Sequence, residues 1–305
     1  MKRLFAFREA LERIEAADAP GAVLVDGSEP VRGGRVGVLP GSFNPPTVAH
    51  LELARAARRR FDLDTVAFSL SSVTVDKERV EGLCREDRLL LLSLLTADDV
   101  RTAAVVVNRG LYSDQAPAFR ACFGGDADLW FIVGMDKVLQ IFDPRYYEDR
   151  DAALDTLFAQ VRLIAANREA WGAEALRVLL DRPENVPYRD RVQPLTLPPH
   201  LRDQSSSAVR RGVGGPAADA VSPPVREFIE ATGAYREPYE LRLAALDALY
   251  PVREWAEAEV AFDAVMARVA ESGGGEAVRE LLLAPMPPDN LKAGLAALGL
   301  ARFGV

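Results

Sequence analysis

The sequence predicts an α/β protein built on a doubly wound parallel sheet, on three observations. The middle of the chain carries short apolar runs at residues 35–39, 65–70, 103–107, 129–133 and 163–166, with a shorter one at 192–197. Several are unbroken rather than alternating, the pattern of strands buried on both faces. Helical patterns lie between them, at 48–60, 86–96, 114–123, 152–160 and 173–180. Strand and helix in alternation form βαβ units, which lay parallel strands in one sheet with helices on both faces. The first strand also runs into a loop with Gly and Pro that opens a helix, the place where such sheets bind ligands. A Rossmann-like unit is therefore expected over 34–236. An N-terminal extension over 1–33 precedes it, with one amphipathic helix and an apolar run at 22–25. A helical C-terminal appendage over 237–305 follows, broken by Gly273-Gly274-Gly275 and by the prolines between 285 and 288.

The bulk properties set bounds on function. The chain has 305 residues, 49% of them hydrophobic and 27% charged, enough to bury a sizeable core. Its net charge of −8 argues against a general binder of nucleic acid or of anionic membranes. A phosphate site is still open to it, because that needs only a few aligned donors. The two cysteines, Cys84 and Cys122, are far apart and form no metal-ligand spacing, which suits a reducing compartment. Near the start, Arg8, Glu9, Glu12 and Arg13 stand where a signal peptide needs an apolar run. No apolar run approaches the ~20 residues that span a bilayer. A cytoplasmic location is expected, with neither membrane nor nucleic acid as a partner.

The first strand ends in Leu39-Pro40-Gly41-Ser42-Phe43-Asn44-Pro45-Pro46-Thr47-Val48-Ala49-His50. Gly41 lets the backbone approach a ligand closely. Pro45 and Pro46 stiffen the loop and stop the strand. Thr47 sits where a helix N-cap is wanted, and His50 falls in the first turn, where free N–H groups and the helix dipole favour an anion. His50 is one of only two histidines in the chain. A second candidate anion site is Gln204-Ser205-Ser206-Ser207-Ala208-Val209-Arg210, with hydroxyls at a helix start followed by a guanidinium. Taken alone, this segment reads as a serine N-cap with a surface arginine. Its place after the last strand brings it to the same end of the sheet as the first motif.

Residues 41–50 resemble the signature of the nucleotidyltransferase superfamily, which ends in His or Thr, any residue, Gly, His. Within that superfamily they are most similar to nicotinamide/nicotinate mononucleotide adenylyltransferases. Thr47 is an accepted variant, and Ala49 stands where Gly is usual. The segment 204–210 resembles that family's Ile-Ser-Ser-Thr-x-x-Arg motif, with Gln204 for Ile and Ser207 for Thr. The likeness continues through Ser222-Pro223-Pro224-Val225-Arg226 and Thr232-Gly233-Ala234-Tyr235, a pattern that closes the family's catalytic domain.

The resemblance implies transfer of AMP from Mg-ATP to nicotinamide or nicotinate mononucleotide, with release of pyrophosphate and formation of a dinucleotide. It implies His50, Lys77 and Arg210 as catalytic residues. For ATP it implies Gly41, Ser42, Phe43, Thr47, His50, Gly134, Asp136, Ser206, Ser207 and Arg210. For the mononucleotide it implies Asn44, Lys77, Arg88, Arg168 and Trp171. A Mg²⁺ ion that binds with ATP through phosphate oxygens and water needs no carboxylate cage, so no protein metal ligand is expected. Other adenylyl- or cytidylyltransferases of the superfamily share the first motif and remain an alternative. A nucleotide-binding regulator with weak catalysis is a further one, and a hydrolase that only cleaves ATP is another.

Overall fold

The computed structural model describes residues 2–25, 33–73, 82–97, 99–167, 172–202, 204–212, 220–232, 234, 235, 239 and 243. The expected sheet is present. Its strands are β1 (Ala22–Val25), β2 (Arg35–Pro40), β3 (Thr65–Ser71), β4 (Thr102–Val107), β5 (Asp128–Gly134), β6 (Val161–Ala166) and β7 (Val192–Leu195). They lie in the order β1-β4-β3-β2-β5-β6-β7. All neighbours from β4 to β7 are parallel, and β1 joins the β4 edge antiparallel. Chain order reverses between β2 and β5, so the switch point of the doubly wound sheet lies at their C-terminal ends.

Both faces of the sheet are covered, which is why its strands read as unbroken apolar runs. On one face, Val66, Phe68 and Leu70 of β3 and Ala104 and Val106 of β4 pack with the helices α1 (Lys2–Glu15), α2 (Val48–Phe61) and α3 (Arg85–Thr96). On the other, Val36, Val38, Phe131, Val133 and Leu163 meet α4 (Tyr112–Phe123), α5 (Met135–Phe142), α6 (Arg150–Gln160) and α7 (Ala173–Leu180). Helix α5 was not expected from the sequence, where Gly134 and Asp136 are expected at the ligand but no helix is assigned to the segment. Its buried residues, Met135, Val138, Ile141 and Phe142, have helical spacing over only two turns.

The leucine block of α3 is apolar on nearly all sides because α3 is packed on both. Leu89 and Leu92 face the sheet and α1, while Leu91 joins Leu83, Val225 and Phe228 in a third cluster. That cluster is built by the helix Pro223–Thr232, which closes the domain. Beyond it, Tyr239 is buried at the start of α3. Its hydroxyl donates to Asp87 Oδ2 at 2.6 Å and accepts from the Cys84 amide at 3.0 Å. Apart from Tyr239 and residue 243, the expected C-terminal appendage lies outside the described residues.

The N-terminal segment is woven into the domain. Leu4, Phe7, Leu11 and Ile14 recur at helical spacing and bury one face of α1 against α3. Arg8 Nε donates to Glu86 Oε1 at 2.6 Å, with both side chains largely buried. Strand β1 then pairs Ala22 with Val107 and Val25 with Ala104. Asn108, one residue beyond β4, holds the turn between α1 and β1. Its Oδ1 accepts from the Gly21 amide at 2.8 Å, and its Nδ2 donates to the carbonyls of Ile14, Ala17 and Ala19 at 2.9, 3.1 and 3.0 Å.

Candidate active site

A cleft of about 600 Å³ opens at the switch point, within the usual size of small-ligand sites. Its floor is the C-terminal ends of β2, β3, β5 and β6, represented by Pro40, Ser69, Val133 and Ala166. One wall carries Arg88 and the segment from Gly110 to Tyr112, and the opposite wall carries Asp136, Lys137 and Gln140 of α5. Over the top stand Ser205, Ser206, Ser207 and Arg210.

The first motif forms the loop from β2 to α2. Ser42 is exposed in the cleft, and His50 and the buried Ala49 line it from the first turn of α2. Thr47, at the N-cap, donates its amide to His50 Nδ1 at 3.0 Å, and its Oγ1 lies 2.7 Å from the same nitrogen. This is the reciprocal capping box, with His in the position usually taken by Glu or Gln. An amide N–H can only donate, so Nδ1 accepts, and the neutral ring carries its proton on Nε2. The cap therefore sets both the orientation and the tautomer of the imidazole.

Phe43 supports the same ring from another side. Its side chain is fully buried, with the ring centroid 5.2 Å from that of His50 and 5.9 Å from that of Phe68, both edge-on. Its backbone has φ of 45°, a left-handed conformation that costs a non-glycine residue about 1–3 kcal/mol and persists where packing enforces it. Gly41 is required by the same packing, because a Cβ there would lie 2.8 Å from Cζ of Phe43. Gly41→Ala is expected to displace that ring and with it His50. A destabilisation of about 1–3 kcal/mol should appear in urea unfolding. A loss of roughly tenfold or more should appear in turnover, since small misplacements of reacting groups are costly. A variant with wild-type stability and wild-type rate would overturn this role for Gly41.

The second motif folds over the first. Ser205 caps the short helix Ser206–Arg211, its hydroxyl accepting from the Ala208 amide at 3.1 Å. Ser206 Oγ donates to the Pro45 carbonyl at 2.7 Å. Arg210 donates to the Asn44 carbonyl at 2.6 Å and to Ser207 Oγ at 3.1 Å. Two segments far apart in sequence are thus hydrogen-bonded across the cleft mouth.

Of the other expected residues, Gly134 and Asp136 line the cleft at the end of β5, and so does Arg88 on the far wall. Arg88 is buried, with Nε donating to the Leu83 carbonyl at 2.7 Å. Burial lowers its pKa from the ordinary arginine value, but a guanidinium stays charged. Asn44 is placed differently from its expected contact with the mononucleotide. Its carboxamide is fully buried, and Oδ1 accepts from the Leu83 amide at 3.0 Å and from the Tyr235 hydroxyl at 3.1 Å. It holds the loop in place, because a buried carboxamide keeps its stability only when bonded. Lys77, Arg168 and Trp171 lie outside the described residues. Among the described residues, no group of three or more His, Cys, Asp or Glu side chains could hold a metal ion. Also among them, no helix is long and apolar enough to cross a membrane.

The sequence reading missed Ser71, Tyr112 and Gln115, which line the β3–β4 half of the cleft. The signal available was position alone: Ser71 ends β3, and Tyr112 and Gln115 lie in the first turn of α4, beyond the end of β4, at the end of the sheet where α/β proteins carry their ligands. Burial pushes the Tyr112 hydroxyl up from its usual pKa, helped by the charge of nearby Asp136, so it stays a neutral donor.

Anion donors gathered at the switch point of such a sheet define a nucleotide-binding α/β protein. Comparison with known families narrows this. The chain belongs to the cytidylyltransferase-like family, whose model matches residues 38–212, more than half of its length. A protein of Moorella thermoacetica described as a probable nicotinate-nucleotide adenylyltransferase is 29% identical over 211 residues, 67% of this chain and 93% of that one. One of Geobacter sulfurreducens with the same description is 33% identical over 150 residues, 48% of this chain and 65% of its own. Among solved structures, a nicotinic acid mononucleotide adenylyltransferase of Plasmodium falciparum aligns with a TM-score of 0.47 at 12% identity, over 66% of this chain and 97% of that one.

Proposed function

We propose that the protein transfers AMP from ATP to a pyridine mononucleotide and releases pyrophosphate, a step of NAD biosynthesis. The observation that carries this is the closure of the two motifs on each other. Arg210 and Ser206 bind the carbonyls of Asn44 and Pro45, so that His50, Ser42, Ser207 and Arg210 face a single cleft. The relatives described as nicotinate-nucleotide adenylyltransferases support the choice of second substrate.

In this reading a phosphate oxygen of the mononucleotide attacks the α-phosphorus of ATP. The new P–O bond forms as the bond to the β-phosphate bridging oxygen breaks, and the electron pair leaves with pyrophosphate. The substrate supplies the nucleophile, so the protein contributes position and charge neutralisation. His50 donates from Nε2–H to the α-phosphate, and amides near Ser42 and Phe43 add donors at the same place. Ser206, Ser207 and Arg210 hold the β- and γ-phosphates. Asp136, at the start of α5, accepts from ribose hydroxyls. ATP then lies along Asp136 and the serines of the second motif, and the phosphate of the mononucleotide is met by Arg88 in the β3–β4 half, with Arg168 and Trp171 beyond β6 as its further expected contacts.

The side chains around the phosphates are donors rather than acceptors, which fits a Mg²⁺ carried in on ATP through phosphate oxygens and water. Such an ion would neutralise charge on the leaving pyrophosphate.

Incubation with Mg-ATP and either nicotinate or nicotinamide mononucleotide is expected to give the matching dinucleotide and one pyrophosphate per turnover, read by chromatography. Pyrophosphate or phosphate release without any mononucleotide would point to a hydrolase. ATP binding with no product from any mononucleotide would point to a regulator.

A further inference from the structure

We propose that the N-terminal helix–strand unit is a positioning part of the active site. Through Asn108 it fixes the β4–α4 connection, the wall of the cleft half assigned to the mononucleotide. The assignment of that half rests on the adenylyl-transfer reading; the brace itself does not.

The connection consists of Asn108, Arg109, Gly110 and Leu111, and every carbonyl in it is bonded. The Asn108 carbonyl accepts from Arg109 Nη1 at 2.9 Å. The Arg109 carbonyl accepts from Ser71 Oγ and from Gln115 Nε2, both at 2.9 Å. The Gly110 carbonyl accepts from the same Gln115 nitrogen at 3.1 Å. The Leu111 carbonyl takes the amides of Asp114 and Gln115 at 3.1 and 3.0 Å. Gly110, Leu111, Ser71 and Gln115 all line the cleft, so these bonds shape its wall.

Asn108 is the point at which this wall is anchored to the N-terminal unit. It is 3% exposed, and its carboxamide meets three carbonyls and one amide of the turn between α1 and β1. Carbonyls only accept and an amide N–H only donates, so the partners leave one orientation for the carboxamide. A second anchor runs alongside: Arg109 Nη2 donates to the Asp18 carbonyl. A third comes from Arg85, which binds both Glu15 at the end of α1 and the Ser72 carbonyl just after β3. These ties land on the loops at the cleft rather than on the sheet interior. There β4 is already paired with β3 along six residues.

The test uses the full chain and steady-state kinetics with each substrate varied in turn. Asn108→Ala is expected to raise the KM for the mononucleotide about tenfold while the KM for ATP stays within about twofold, the scale of one or two lost hydrogen bonds. Arg109→Ala, a half-exposed side chain whose loss spares the core, is expected to act in the same direction by roughly threefold. A merely structural role would lower the active fraction and leave both KM values unchanged, which would overturn the proposal. So would equal rises in both. Amide hydrogen exchange provides a readout free of turnover. The amides of Asn108, Asp114 and Gln115, which donate to the Gly21 and Leu111 carbonyls, should exchange faster in Asn108→Ala while those of Ile132 and Val133 in β5 keep their protection, and unchanged exchange at Asn108, Asp114 and Gln115 would refute the brace. If the wild-type protein makes no dinucleotide, the adenylyl-transfer reading falls, and the exchange result alone decides whether Asn108 positions the wall.

Discussion

Replacing His50 with Gln is expected to leave folding intact and to cut pyrophosphate release by about 10²-fold or more, the usual cost of one preorganised donor at a developing negative charge. The choice of Gln follows from the cap. His50 accepts from the Thr47 amide through Nδ1, and Gln is a natural residue at that position of a capping box. It preserves the acceptor, and with Oε1 turned to the Thr47 amide its neutral carboxamide N–H2 is a weaker and differently placed donor than the imidazole Nε2–H. His50→Ala removes both, so it should show the same kinetic loss and an added destabilisation of about 1 kcal/mol. Chemical denaturation separates the two effects. A Gln variant with near-normal pyrophosphate release would remove His50 from the reaction.

The second large effect is expected at Arg210. Arg210→Ala should reduce kcat/KM for ATP by about 10²-fold, because it takes a charge from the triphosphate and opens the tie to the first motif. Arg210→Lys is expected to recover little. One guanidinium spans the Asn44 carbonyl and Ser207 Oγ, and a lysine ammonium is a single point charge on a mobile stem. The comparison is measured with ATP varied at saturating mononucleotide. Full recovery by Lys would mean that charge alone matters and that the bridge between the motifs is dispensable.

What was legible in the sequence follows from what lies under each segment. Strands β2 to β6 could be read because both faces of the sheet are covered, which forces an unbroken apolar run on each. The role of residues 22–25 could not, because a four-residue strand takes its meaning from its partner, β4, and nothing in its own composition names that partner. The two phosphate motifs were visible as residue types, yet their contact runs through the carbonyls of Asn44 and Pro45, which any residue could provide. Asn44 illustrates the converse. A carboxamide inside a motif reads the same whether it faces a ligand or the protein, and only the positions of Leu83 and Tyr235 show that it faces inward. Asn108 was missed for a related reason: it is a single polar residue after an apolar run, and all of its side chain's partners are backbone groups.

The links from Tyr235 and Tyr239 back to Asn44 and Asp87 also bear on how the protein is made. The loop that carries His50 is translated well before Tyr235, whose hydroxyl reaches Asn44 across 191 positions of sequence. A chain still growing has its histidine long before it has the geometry to use it. Locking of the loop therefore waits for the segment that follows the last helix of the domain.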